Sequence, residues 1–183
     1  MVKSKNAEYF QKFSIGAMAK GLGNLAKIMD KAESHAASHD ISVENYLQAR
    51  LFPDMFNLLQ QVQYVCYLAA DFARHFSENP APRVGYDETT WAELRKSLDV
   101  AADYLRAIKP EQVLEKADLV VPTFMDDKRG MTAVNYAADV IVPDFNFHLT
   151  VAYALLRHNG VSLGKSDFLG DFQTVEMGSG ISG

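Results

Sequence analysis

PDFNFHLTVAYALLRHNG, residues 143–160, is the stretch on which the fold turns. Its apolar positions recur at close to 3.6 residues, so it reads as a core helix, and Gly160 after Asn159 is a natural C-terminal cap. Asp144, His148, Val151 and Leu155 fall on one stripe of that helix. A carboxylate and an imidazole therefore stand one turn apart where leucines are expected. The pattern extends back to about Ala133, which puts Pro143 inside the helix. An interior proline lacks a donor and clashes one turn back, so the helix either kinks there or starts afresh near Pro143.

Three other segments share this periodicity. The first runs from about Ala7 to Ala37, with Phe10, Phe13, Ala17, Leu22, Leu25 and Met29 on its stripe. The second starts at Pro53 and runs to Phe76, with Leu58, Val62, Val65, Ala69 and Phe72 inward. Asp54 and Gln61 share a line with Leu58 and Val65, a second polar-in-apolar stripe. The third begins at Thr90, which forms a capping-box pattern with Glu93, carries Trp91, Leu94, Leu98, Ala101, Leu105 and Ile108, and ends before Pro110. Four such helices imply an all-α fold, a four-helix bundle with long connections. Between the third and fourth, ADLVVPTF has strand-like composition and DDKRG has turn chemistry, giving either a short β-hairpin or an extended loop. Residues 1–170 read as one bundle domain and 171–183 as a tail, partly mobile at GSGISG.

The bulk composition excludes several classes. The net charge is -5, with basic residues scattered among acids, so no nucleic-acid partner is expected. No apolar run approaches the roughly 20 residues of a spanning helix, so no membrane partner is expected either. The N-terminus lacks the continuous apolar segment of a secretory signal, and the single cysteine, Cys66, lies in a helical apolar pattern. These features point to a cytoplasmic chain with Cys66 as a small core residue.

Two motifs resemble chemistry only on paper. GLGNLA, Gly21 to Ala26, matches a dinucleotide fingerprint but lies mid-helix, with no strand before it. HAASH places His35 and His39 at i, i+4, so one helix face offers both to a metal, although histidines at a helix C-terminus gain from the macrodipole without one. The more informative set is Asp54, Gln61, Asp144 and His148, because bundle interiors build sites from facing helices. A buried polar group left unpaired costs about 1–3 kcal/mol, so one retained in a core is either paired or used. The residues by themselves favour a satisfied polar network over a working metal site, since Asp144 can accept the N–H of His148 and Asp54 suits a helix N-terminus.

FHLTVAYALLRHNGVSLGKSDFLG, with RLFPDMFNLLQQV upstream, resembles a branch of the DinB-like four-helix bundle superfamily, a bacterial family of unknown function. The words Leu156 to Val161 and Asp167 to Gly170 carry the likeness, which spans nearly the whole chain. The resemblance implies a site near His148. Metal-binding members of the superfamily use three histidines, one from the second helix and two at i, i+4 on the last. Here His148 takes the final position, Asp144 falls on the preceding one, and Asp54 and Gln61 are the polar candidates on the second helix. Such a set, with Asp54, Asp144 and His148 as ligands and Gln61 beside them, is oxygen-rich and favours Mn, Fe or Mg if a divalent metal binds. Two functional classes follow. One is a non-catalytic bundle, a homodimer, that binds a small molecule or a partner chain through rings such as Phe145, Phe147, Tyr153, Tyr64 and Tyr67. The other is a divalent-metal-dependent hydrolase or thiol transferase with an altered Asp/His site.

Overall fold

A computed structural model describes residues 2–116, 118–123, 126–174 and 176. The bundle is built from α2 (Ile15–Ser38), α3 (Leu58–Ala73), α4 (Trp91–Arg106) and α7 (Val142–His158), preceded by α1 (Val2–Phe13). Shorter elements are α5 (Pro110–Lys116), a hairpin of β1 (Val120–Thr123) and β2 (Asp126–Thr132), α6 (Ala133–Tyr136) and α8 (Lys165–Leu169). Around the bundle, α2 packs on α4, α4 on α3, α3 on α7 and α7 on α2. This circuit differs from sequence order, and the long connections make it possible.

The first helical segment is divided at Ser14, whose backbone leaves the helical region and whose hydroxyl donates to the Phe10 carbonyl at 2.5 Å. The break shifts the buried face. Phe13 is 68% exposed and Ala17 is exposed, against expectation, while Ile15, Met18 and Leu22 fill the core. The stripe holds from Leu22 onward, through Leu25 and Met29. Gly21 lies where α2 meets α7: a Cβ there would stand 2.7 Å from the Phe145 ring, so the two helices approach over a bare backbone. That contact gives Gly21 of GLGNLA a packing role.

The second helix starts later than Pro53. Asn57 accepts from the Gln60 N–H at 2.9 Å, and Gln60 Oε1 accepts from the Asn57 N–H at 3.1 Å, a reciprocal cap that fixes the start of α3 at Leu58. Residues 51–56 form an irregular approach, and Asp54 is exposed within it. Thr90 and Glu93 cap α4 as their spacing indicates. The hairpin is antiparallel, pairing Val120 with Thr132 and Val121 with Met131.

Before α7 the chain runs through α6 and then a π-helical turn, Ala137–Ile141. Pro143 follows in the first turn of α7. At that position the missing N–H of a proline is tolerated, and the π-helical turn just before it is where the helical run changes its hydrogen-bond spacing. At the far end of α7, Gly160 turns at φ +94° and the Val161 N–H returns to the Leu156 carbonyl at 3.2 Å. The chain then folds back on α2. Asn24 Nδ2 donates to the Phe168 carbonyl at 3.0 Å, Lys31 pairs with Asp167 at 2.7 Å, and Gly170 (φ +60°) lies against the Asn24 amide. Of the tail, 171–174 and 176 carry no regular structure, and GSGISG lies outside the described residues.

Candidate functional site

α3 and α7 face each other across one seam of the bundle, and their hydrophilic side chains meet there. Gln61 is 1% exposed. Its Nε2 donates to the Phe56 carbonyl at 3.2 Å, in the chain just before α3. That bond fixes the orientation of the amide, because the reverse orientation would set two oxygens against each other. Gln61 Oε1 is therefore presented to His148 Nδ1, 2.6 Å away. An amide oxygen only accepts, so Nδ1 carries the hydrogen and Nε2 is left to face α7.

Nε2 stands 3.3 Å from Asp144 Oδ1, one turn earlier on α7. Asp144 Oδ2 accepts from the Tyr64 hydroxyl at 3.2 Å. The line of contacts thus runs from the Phe56 carbonyl through Gln61, His148 and Asp144 to Tyr64. Burial pulls the His148 imidazole below its usual range, and the charge and hydrogen bond of Asp144 oppose that shift without cancelling it. Burial, with the Asp144 charge, pushes the Tyr64 phenol up to about 12, so it stays a donor.

With the imidazole uncharged, the corner therefore presents two acceptors side by side, the Nε2 lone pair and a carboxylate oxygen. It gains either by taking up a proton, which makes an imidazolium–carboxylate pair, or by receiving N–H or O–H donors from a ligand. Three rings surround the imidazole: Tyr64 at 4.4 Å, Phe147 at 5.1 Å and Phe56 at 5.7 Å between centroids. Phe56 and Phe147 are 41% and 54% exposed, so the corner opens onto an aromatic rim. Of the other rings expected to offer surface, Phe145 is core, whereas Tyr64, Tyr67 and Tyr153 are half-buried.

Asp144, His148 and Gln61 are brought together. Asp54 is not, which corrects the expected trio of ligands: with α3 starting at Leu58, Asp54 belongs to an exposed loop instead of the inner face of the helix. Among the described residues, no group of three His, Cys, Asp or Glu side chains is placed to hold a metal ion. Cys66 is fully buried and burial pushes its thiol up, away from the reactive thiolate form. Two members of the corner were not singled out for it by sequence. Tyr64 lies three residues after Gln61 on the same helix face, a spacing that signals contact. The Phe56 carbonyl leaves no trace in sequence at all.

The words that carry the family likeness lie outside this corner. Arg157 donates to the Leu163 carbonyl and, at 3.2 Å, to the Tyr153 hydroxyl, and Asn159 donates to the Leu155 carbonyl at 2.7 Å. Asp167 accepts from the Gly164 N–H at 2.8 Å and opens α8. Both words close a helix or strap the chain to α2.

Residues 10–169 match the model of a domain family of unknown function, DUF1993. A solved structure of a DinB family member protein from Shewanella denitrificans is 30% identical, with a TM-score of 0.86 over 95% of this chain and 99% of that one. No curated protein matches. No helix among the described residues is long and apolar enough to cross a membrane.

Proposed function

We propose a ligand-binding function for this chain, which belongs to the DUF1993 family and has the DinB-like bundle fold. The ligand is a small organic molecule bearing an ammonium or similar N–H donor group, and it docks at the His148 corner. One observation carries the reading: Gln61, itself fixed by the Phe56 carbonyl, holds His148 so that Nε2 and Asp144 Oδ1 form an acceptor pair 3.3 Å apart. A cationic donor satisfies both acceptors at once. Phe56 and Phe147 add apolar area and ring faces that attract a cation, an effect worth about 0.5–2 kcal/mol.

The test is calorimetric titration with benzylammonium, with benzyl alcohol as the neutral counterpart. The reading predicts saturable binding of the ammonium, at least tenfold tighter than the alcohol, and lost in Asp144→Asn. Equal binding of the two, or ammonium binding that survives Asp144→Asn, contradicts it.

A second reading has support from the loop that carries Phe56, which also exposes Leu51 (46%) and Phe52 (63%). Exposed apolar side chains grouped in one loop are covered by a partner chain in many proteins, and here a second copy in a homodimer is the proposed one. Light scattering on the chain and on Phe52→Asp distinguishes the readings: a dimer that Phe52→Asp splits supports the second. A metal-dependent hydrolase or thiol transferase is the alternative enzyme reading. It has Asp144 and His148 as a donor pair and requires further donors from water or substrate. Stoichiometric Mn, Fe or Zn uptake that disappears in His148→Ala would favour it.

A further inference from the structure

His35, in the last turn of α2, and His39, the residue that caps it, form a second pair of imidazoles, far in sequence from the corner at His148. The His35 and His39 rings lie side by side in a tilted arrangement, 4.1 Å between centroids and 32° between planes. His39 Nδ1 is 2.8 Å from the His35 carbonyl oxygen. That oxygen only accepts, so Nδ1 carries the hydrogen and the lone pair of His39 is on Nε2. Ser38 Oγ agrees with this assignment: it donates to the same carbonyl at 2.8 Å, which leaves its oxygen to accept from His39 Nδ1 at 3.0 Å. His35 Nδ1 is 2.7 Å from the hydroxyl of the buried Tyr46. The phenol can accept there, which frees His35 Nε2 as well. Burial pushes the Tyr46 phenol up, so it remains an uncharged partner.

We propose that His35 and His39 together bind a borderline divalent transition-metal ion, of the nickel, copper or zinc class, through their Nε2 atoms. Metal-binding imidazoles characteristically donate the other ring N–H to a carbonyl or hydroxyl, which fixes ring orientation, and both rings have such a partner here. The His-x3-His spacing lies in the range at which two imidazoles share one ion. The negative end of the α2 dipole favours a cation at this turn. Gly160 adds space: a Cβ there would come within 3.3 Å of His35 Nε2, so a side chain at that position would crowd the approach. Two neutral nitrogens without carboxylates select nickel, copper and zinc over magnesium or calcium. Among the described residues no third His, Cys, Asp or Glu joins them, so water completes the coordination and the ion stays open to exchange.

The experiment uses the full chain without an affinity tag, stripped of metal, titrated with copper(II) and nickel(II) by calorimetry, with electron paramagnetic resonance on the copper form. The expected result is one equivalent bound, hyperfine structure from two nitrogens, and at least a tenfold loss of affinity in His39→Ala and in His35→Gln. His39 is exposed, so His39→Ala keeps the melting temperature of the metal-free chain, which separates lost binding from lost folding. His148→Ala leaves copper binding unchanged. Absence of saturable binding, affinity untouched by His39→Ala, or binding that follows His148 would overturn the proposal.

Discussion

The two ends of α7 carry hydrophilic side chains for different reasons. At its last turn and just beyond, Arg157 and Asn159 donate to backbone carbonyls, Arg157 also to the Tyr153 hydroxyl, and Gly160 turns the chain toward the strap on α2. Near the start of α7 Asp144 lies in the first turn, but that turn continues the π-helical run from Ala137, and no side chain among the described residues caps it. The partners of Asp144 and His148 are the side chains of Gln61 and Tyr64, and the pair is left with two acceptors facing each other. Side chains spent on carbonyls are architecture, whereas side chains organised around each other and open to a rim are available for binding.

Substitutions separate the two ends. The largest effect is expected at the strap: Gly170→Ala sets a Cβ 2.2 Å from Asn24 Oδ1 at a positive φ, where L residues are strained. It costs about 2–3 kcal/mol, seen as a fall of roughly 6–10 °C in melting temperature, with benzylammonium affinity retained. Next comes His148→Ala, which leaves the buried Gln61 oxygen without its donor and costs about 1–3 kcal/mol; here, unlike at the strap, calorimetry shows binding lost. Arg157→Ala gives up two hydrogen bonds at the architectural end, about 1 kcal/mol in denaturant melts, and leaves binding alone. Asp144→Asn changes stability least, by under about 0.5 kcal/mol because the Tyr64 hydroxyl keeps an acceptor, yet it lowers ammonium affinity at least tenfold. If Asp144→Asn destabilises more than Gly170→Ala, the division between the two ends fails.

Acid provides the gentlest probe. The folded-state pKa of His148 is lowered by burial, so the unfolded chain takes up this proton first as pH falls below about 6.5. Stability conferred by the neutral ring is full above that value and declines as pH drops toward the folded pKa. His75, also lowered chiefly by burial, adds to the same slope. His148→Gln is expected to flatten the dependence in part, read from denaturant melts between pH 7 and 5.

Much of the architecture was legible because periodicity is a long-range signal that one wrong residue does not erase. The stripes of α4 and α7 survive intact, and the strand-like run supplies β1 of a hairpin, whereas DDKRG, read as turn chemistry, forms most of β2. Phe13 and Ala17 were misread because the helical phase changes at Ser14, two residues before Gly16, while the apolar spacing runs on across the break. Asp54 was drawn inward by Pro53, a plausible first-turn residue, whereas the Asn57–Gln60 pair four residues later is the cap that forms. Of the corner, the Asp144–His148 spacing was visible and Gln61 shared a stripe with known core positions. Its orientation was not, because the Phe56 carbonyl that sets it belongs to an irregular loop.

The central claim is that Gln61 holds His148 with hydrogen on Nδ1 and the Nε2 lone pair turned to Asp144. Long-range proton–nitrogen correlation spectra of the imidazole test it most directly. At pH 7.5 the ring is expected as the Nδ1–H tautomer, titrating below 6.5 and losing its tautomer preference in Gln61→Leu. An Nε2–H tautomer at that pH, or a preference unchanged in Gln61→Leu, would contradict it.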